Sequence, residues 1–186
     1  IHNLSRENEF DYIQEGGLND YVHAKRKPIS KPFTFQVERY VGVDLAMTND
    51  NCAVAVVAED GERIIADAVA FVPADRLDEK SAAEKLDYRA LCEGGKCVAS
   101  GDMTVDHAAH EQVVAGTEEF VEGIEEAYGG TVAGIAYDRY NALSSAQKWE
   151  RAGLPTVEVK QHSSVLHPPT KLLAEKAMSG QLAFPT

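Results

Sequence analysis

The stretch that decides the fold is "RYVGVDLAMTNDNCAVAVVAEDGERII", residues 39–65. Two apolar runs, VGVDLA and CAVAVVA, are followed by a turn at Asp60-Gly61, the pair that closes tight hairpins. Alternation in the second run and in residues 62–72 predicts an antiparallel meander of three strands, 39–45, 52–58 and 62–72. Asp44 interrupts the first strand between Val43 and Leu45. A carboxylate there needs either solvent or a cation.

Working outward, residues 1–38 read as a tether or linker. "HAKRKPISKPF" is basic, proline-containing and without periodicity. C-terminal to the meander, residues 78–92 carry Leu77, Ala82, Leu86 and Ala90 at roughly helical spacing. "EGGKCVASGDM" reads as loop with one short strand. Asp106 can cap a long helix over 107–128, with Val113, Phe120, Ile124 and Tyr128 as its inward stripe and Gly116 as a bend. "TVAGIAYD", 131–138, is an interior strand; 141–152 is a helix; "TVEVK", 156–160, is a strand; and 169–179 is a last helix after the two prolines.

Three antiparallel strands, then helix, strand, helix, strand, helix, predict a mixed five-stranded α/β sheet with helices on both faces. This is the ribonuclease H-like arrangement. The strand after the long helix returns parallel to the first strand through a right-handed crossover. Asp138, at the end of that strand, then stands beside Asp44. Two carboxylates that close repel unless a cation lies between them. Mg²⁺ suits such oxygen donors, and two ions about 4 Å apart could hold a phosphodiester and activate a water. For each acid alone a simpler reading exists, solvent exposure for Asp44 and helix capping for Asp138; their joint placement favours the metal.

The bulk properties bound the rest. With 186 residues and 44% hydrophobic content, the chain can bury one core. It has no apolar run long enough to span a membrane. It opens on Ile1 and reads as a fragment or processed product. Cys52, Cys92 and Cys97 read as free thiols. The net charge of −12 falls wholly on residues 41–186, which hold twelve Lys/Arg and twenty-four Asp/Glu. Such a surface repels free nucleic acid over about 10 Å. His162 and His167 read as loop residues, His107 and His110 as exposed on the first turn of the long helix, and Asp102 and Asp106 as turn and cap residues. Arg139 and Lys171 are single cations that could meet a phosphate.

Four pieces in order carry a family resemblance: "GVDLAMTNDNCAVAVV", "GDMTVDHAAHEQVV", "IAYDRYNA" and "QHSSVLHPPTKLLAEKAMSGQL". Residues 39–182 resemble the carboxyl-terminal nuclease domain of the large terminase subunit of tailed bacteriophages. The resemblance implies a ribonuclease H-like endonuclease that cuts concatemeric double-stranded DNA during packaging, in a phage or prophage. It implies Mg²⁺ or Mn²⁺ in a two-metal site held by acids, which carry over to Asp44 and Asp138 as catalytic metal ligands. Partners implied are double-stranded DNA, the small terminase subunit, and portal and procapsid proteins. The implied location is the host cytoplasm. The domain assignment is a linker at 1–38 and the nuclease at 39–186. The family's third acid lies after "SGQL", so the last part of the domain is expected to be missing and the activity of this fragment is in doubt. No GxxxxGK[ST] loop is present, so the motor ATPase is not in this chain.

Three other readings compete. An actin-like ATPase shares the strand–Asp pattern, but its phosphate loop has Gly where Ala46 stands, and it needs a second domain. A non-catalytic docking module for portal or capsid proteins would tolerate loss of both acids. Another ribonuclease H-like enzyme, such as a resolvase, would use the same acids; only residues 101–114 and 161–182 argue against it.

Overall fold

The computed structural model describes residues 37–46, 51–94, 97–100 and 109–183. Nearly all of the expected tether, together with Asp102, Asp106 and His107, lies outside them, and of His110 only the backbone is described.

The meander is β1 (Glu38–Asp44), β2 (Cys52–Asp60) and β3 (Arg63–Pro73), paired antiparallel in sequence. Two short helices follow, α1 (Leu77–Glu84) and α2 (Tyr88–Glu93), then β4 (Cys97–Ser100). Next come α3 (Ala109–Glu122), α4 (Ile124–Tyr128), β5 (Thr131–Tyr137), α5 (Arg139–Arg151), β6 (Thr156–Glu158), α6 (Ser163–Met178) and β7 (Leu182–Ala183). The sheet order is β4-β3-β2-β1-β5-β6, with β7 also paired to β3. β5 runs parallel to β1, and β6 parallel to β5. The mixed ribonuclease H-like sheet therefore stands. It carries seven strands rather than five, because β4 and β7 join the free edge of β3.

Strand side chains alternate between faces, and the two faces here differ sharply. One carries Val41, Val43, Val54, Val56, Phe71 and Ile135, all buried. Val113, Val121 and Ile124 from α3 and α4, and Ala142, Ala146 and Trp149 from α5, close over it as one core. Each fully buried aliphatic side chain there contributes about 1.5–3 kcal/mol relative to exposure. On the opposite face, Ala70 and Val72 of β3 pack with Leu77, Tyr88 and Cys97. Helices thus lie on both faces, as right-handed crossovers demand: β4→β5 and β5→β6 step across the sheet one way, β3→β4 and β6→β7 the other. The same rule puts α6 on the second face.

Four local expectations change. The helix expected over 78–92 is two, because Lys85 turns left-handed (φ 56°) and Asp87 starts a new helix by accepting from the Ala90 amide at 3.0 Å. The long helix breaks at Gly123, not at Gly116. Gly116 instead permits a close approach: a Cβ there would sit 2.9 Å from Ser100 Oγ on β4. The fifth helix starts at Arg139 rather than 141, capped by Asp138. The last helix starts at Ser163, with Pro168 and Pro169 in its second turn, because the His162 carbonyl accepts from the Val165 and Leu166 amides and so begins the coil earlier.

Candidate metal centre

β1 sends Val41 and Val43 into the core, so Gly42 and Asp44 point to the other face. Asp44 is the last residue of the strand and pairs with Ala53 of β2. On its other side, β5 pairs Ala136 with Gly42 and Tyr137 with Val43. Asp44 directly follows Val43 and Asp138 directly follows Tyr137, so the two acids stand at the ends of neighbouring parallel strands. That alignment depends on an irregularity. Arg39 pairs with Val132 but Tyr40 with Gly134, so Ala133 is skipped. Without this bulge Asp44 would lie level with Tyr137, a residue that faces the core.

Both acids line one cleft of about 540 Å³ at the carboxyl ends of β1 and β5. The strand order reverses direction of travel here, where open α/β sheets place their ligands. Small residues pave the floor: Gly42, Ala53, Ala55, Ala68 and Ala136. Val159 and Gln161, just beyond β6, form a wall. Sequence reasoning missed Gln161 and the floor. The period-2 placement of glycine and alanine in four strands was the available signal.

Asp44 is exposed and Asp138 half-buried. Asp138 Oδ1 accepts from the Tyr140 amide at 3.2 Å and caps α5. Capping therefore occurs, and it still leaves the second carboxylate oxygen for a ligand. Beneath this end of β1, the buried Cys52 Sγ accepts from the Ala46 amide at 3.4 Å. Burial pushes the Cys52 thiol up from its ordinary value, and the nearby Asp44 charge acts in the same direction. The buried thiol does not line the cleft. Two hard carboxylates, with no imidazole among the described residues lining the cleft, fit Mg²⁺ or Mn²⁺. Among the described residues no group of three or more His, Cys, Asp or Glu is assembled. Waters and substrate oxygens are the natural complement to two carboxylates around Mg²⁺.

The other candidates stand apart. His162 precedes α6, and His167 lies on it; both are exposed and neither lines the cleft. His167 is thus helical, not in a loop. Cys92 and Cys97 are free thiols near the β3–β4 edge. Arg139 lies 3.7 Å from Glu158, and Lys171 3.8 Å from Glu175, in exposed pairs worth little.

The profile of the family described as "Terminase large subunit, endonuclease domain" matches residues 12–185. Among solved structures, the HK97 bacteriophage large terminase superposes with a TM-score of 0.72 at 18% identity, over 93% of this chain and 33% of that one. The chain therefore spans about a third of that protein's length. The zinc-bound large terminase nuclease of thermophilic phage G20c gives a TM-score of 0.50 at 14% identity, over 91% of this chain and 78% of that one. At such identities the likeness is one of fold. No curated protein matches the chain by sequence.

Proposed function

The chain belongs to the terminase large-subunit endonuclease-domain family, and from that premise we propose that it is a divalent-metal-dependent endodeoxyribonuclease module of a viral packaging terminase. Its substrate is concatemeric double-stranded DNA. The observation that supports this most is that Asp44 and Asp138, at the ends of two strands paired in parallel, line one cleft.

Asp44 and Asp138 would hold the Mg²⁺ or Mn²⁺ of a two-metal site. When bound, the ions supply charge to neutralise the phosphodiester and lower the pKa of a coordinated water. The exposed Asp44 keeps the outer side of the site open to water and substrate. The Gly/Ala floor removes side chains that would hold a sugar–phosphate backbone away from the carboxylates. Asp138 also caps α5, which fixes the direction of its carboxylate. By the same reading, the module works in the host cytoplasm with the small terminase subunit, the portal and the procapsid, which deliver DNA to an otherwise repelling acidic surface.

The test is substitution of each acid by its amide. Asp44→Asn and Asp138→Asn should each abolish Mn²⁺-dependent cutting of duplex DNA while leaving circular dichroism unchanged. Normal cutting by both variants would remove the metal reading and favour a docking role.

A further inference from the structure

The acidity of this chain is not uniform on the side that follows the cleft. Residues 41–158 hold nine Lys/Arg and twenty-three Asp/Glu, a net of −14; residues 159–186 hold three Lys and one Glu, a net of +2. The turn between the two regions falls at the cleft itself, since Val159 and Gln161 line it. Lys160 lies between them, exposed. α6 starts three residues after Lys160 and, at sixteen residues, is about 24 Å long.

No side chain of α6 is fully buried. Leu166, Thr170, Ala174 and Ala177, at helical spacing, form its half-buried side. His167 and Lys171 share another face, both exposed. Lys176 is committed elsewhere: its Nζ donates to the Glu62 carbonyl at 2.6 Å and to Gln181 Oε1 at 3.1 Å, tying the helix end to the β2–β3 turn. Lys171, by contrast, meets Glu175 at 3.8 Å in an exposed pair, one that a stronger anion displaces readily.

We infer that Val159–Met178 is a track for the backbone of duplex DNA leaving the cleft, with Lys160 and Lys171 each neutralising a phosphate away from the scissile one. The inference rests on the nuclease reading above. Charge complementarity selects the occupant: the segment is a cationic island continuous with a phosphodiester-sized cleft, in a body that otherwise repels polyanions. The island would set the direction in which the duplex crosses the acids.

The experiment measures binding of the full chain to a 30-base-pair duplex by fluorescence anisotropy across a KCl series, with Ca²⁺ replacing Mg²⁺. Each phosphate contact contributes about 0.9 to the slope of log K against log[salt]. The double variant Lys160→Gln/Lys171→Gln should therefore flatten the slope by roughly 1.8. Arg89→Gln, on the α1–α2 layer and paired with Asp78, should leave it unchanged. In Mn²⁺-dependent cleavage the double variant should raise KM and keep kcat, because neither lysine touches the carboxylate pair. An unchanged slope, a lost kcat, or a wild-type chain whose duplex binding ignores salt would overturn the track. Lysine-dependent binding together with full cutting by Asp44→Asn and Asp138→Asn would instead sink the nuclease site and leave the track standing.

Discussion

Replacing Asp138 by Asn and, separately, by Ala isolates two tasks that one carboxylate performs. Asn keeps the acceptor oxygen that caps α5; Ala removes it. The cap is a single 3.2 Å bond at a half-buried position, so its loss costs about 1 kcal/mol. In EDTA, then, Asp138→Asn should match the wild type. Asp138→Ala should fall below Asp138→Asn by about 1 kcal/mol, or about 2–4 °C in Tm for a chain of this size. Adding Mn²⁺ should raise the wild-type Tm and move neither variant, because a ligand stabilises only a folded state that binds it. Thermal melts followed by circular dichroism read all three. Coincident melting of the two variants would refute the capping assignment. Wild-type-sized stabilisation of Asp138→Asn by Mn²⁺ would refute the metal assignment.

Two further outcomes test the frame around the site. Gly130→Ala should cost about 3 kcal/mol in urea unfolding, since Gly130 has φ +82° and a Cβ there would fall 2.2 Å from the Val37 carbonyl oxygen; Gly153→Ala, at φ +86° with nothing within 4 Å, should cost only about 1 kcal/mol. Burial and the neighbouring Cys92 push the Cys97 thiol up to about 12 from 9.0. The folded state therefore holds its proton where the unfolded chain releases it, and this contribution to stability, full below pH 9, is lost as pH rises from 9 towards 12. Cys97→Ser should lessen that alkaline loss, and alkylation of native Cys97 at pH 8 should be slow; an unchanged alkaline profile would count against it.

Much was determined locally. Period-2 alternation, with Asp60-Gly61 between two runs, specifies the β-hairpin whatever surrounds it. Val113 and Ile124 lie buried, and Phe120 and Tyr128 pack against them, as a 3.6-residue stripe requires. Asp138 before a helix reads as a cap from its neighbours alone, and caps. Other features carry too little local signal. β7 has two residues, too short for any period, and pairs on the edge of β3; the short strand read in "EGGKCVASGDM" is β4, on the same edge. The left-handed turn at Lys85 has no glycine to announce it, and α6 starts early through two prolines that the pattern reads as a boundary.

The relation of Asp44 to Asp138 belongs wholly to the tertiary structure. Ninety-four positions separate them, and a one-residue slip reverses the face on which every strand side chain lies. No local pattern specifies that β5 skips Ala133 against the Arg39–Tyr40 step of β1. Only the pairing of the two strands, with that skip in it, brings both carboxylates to the lining of one cleft.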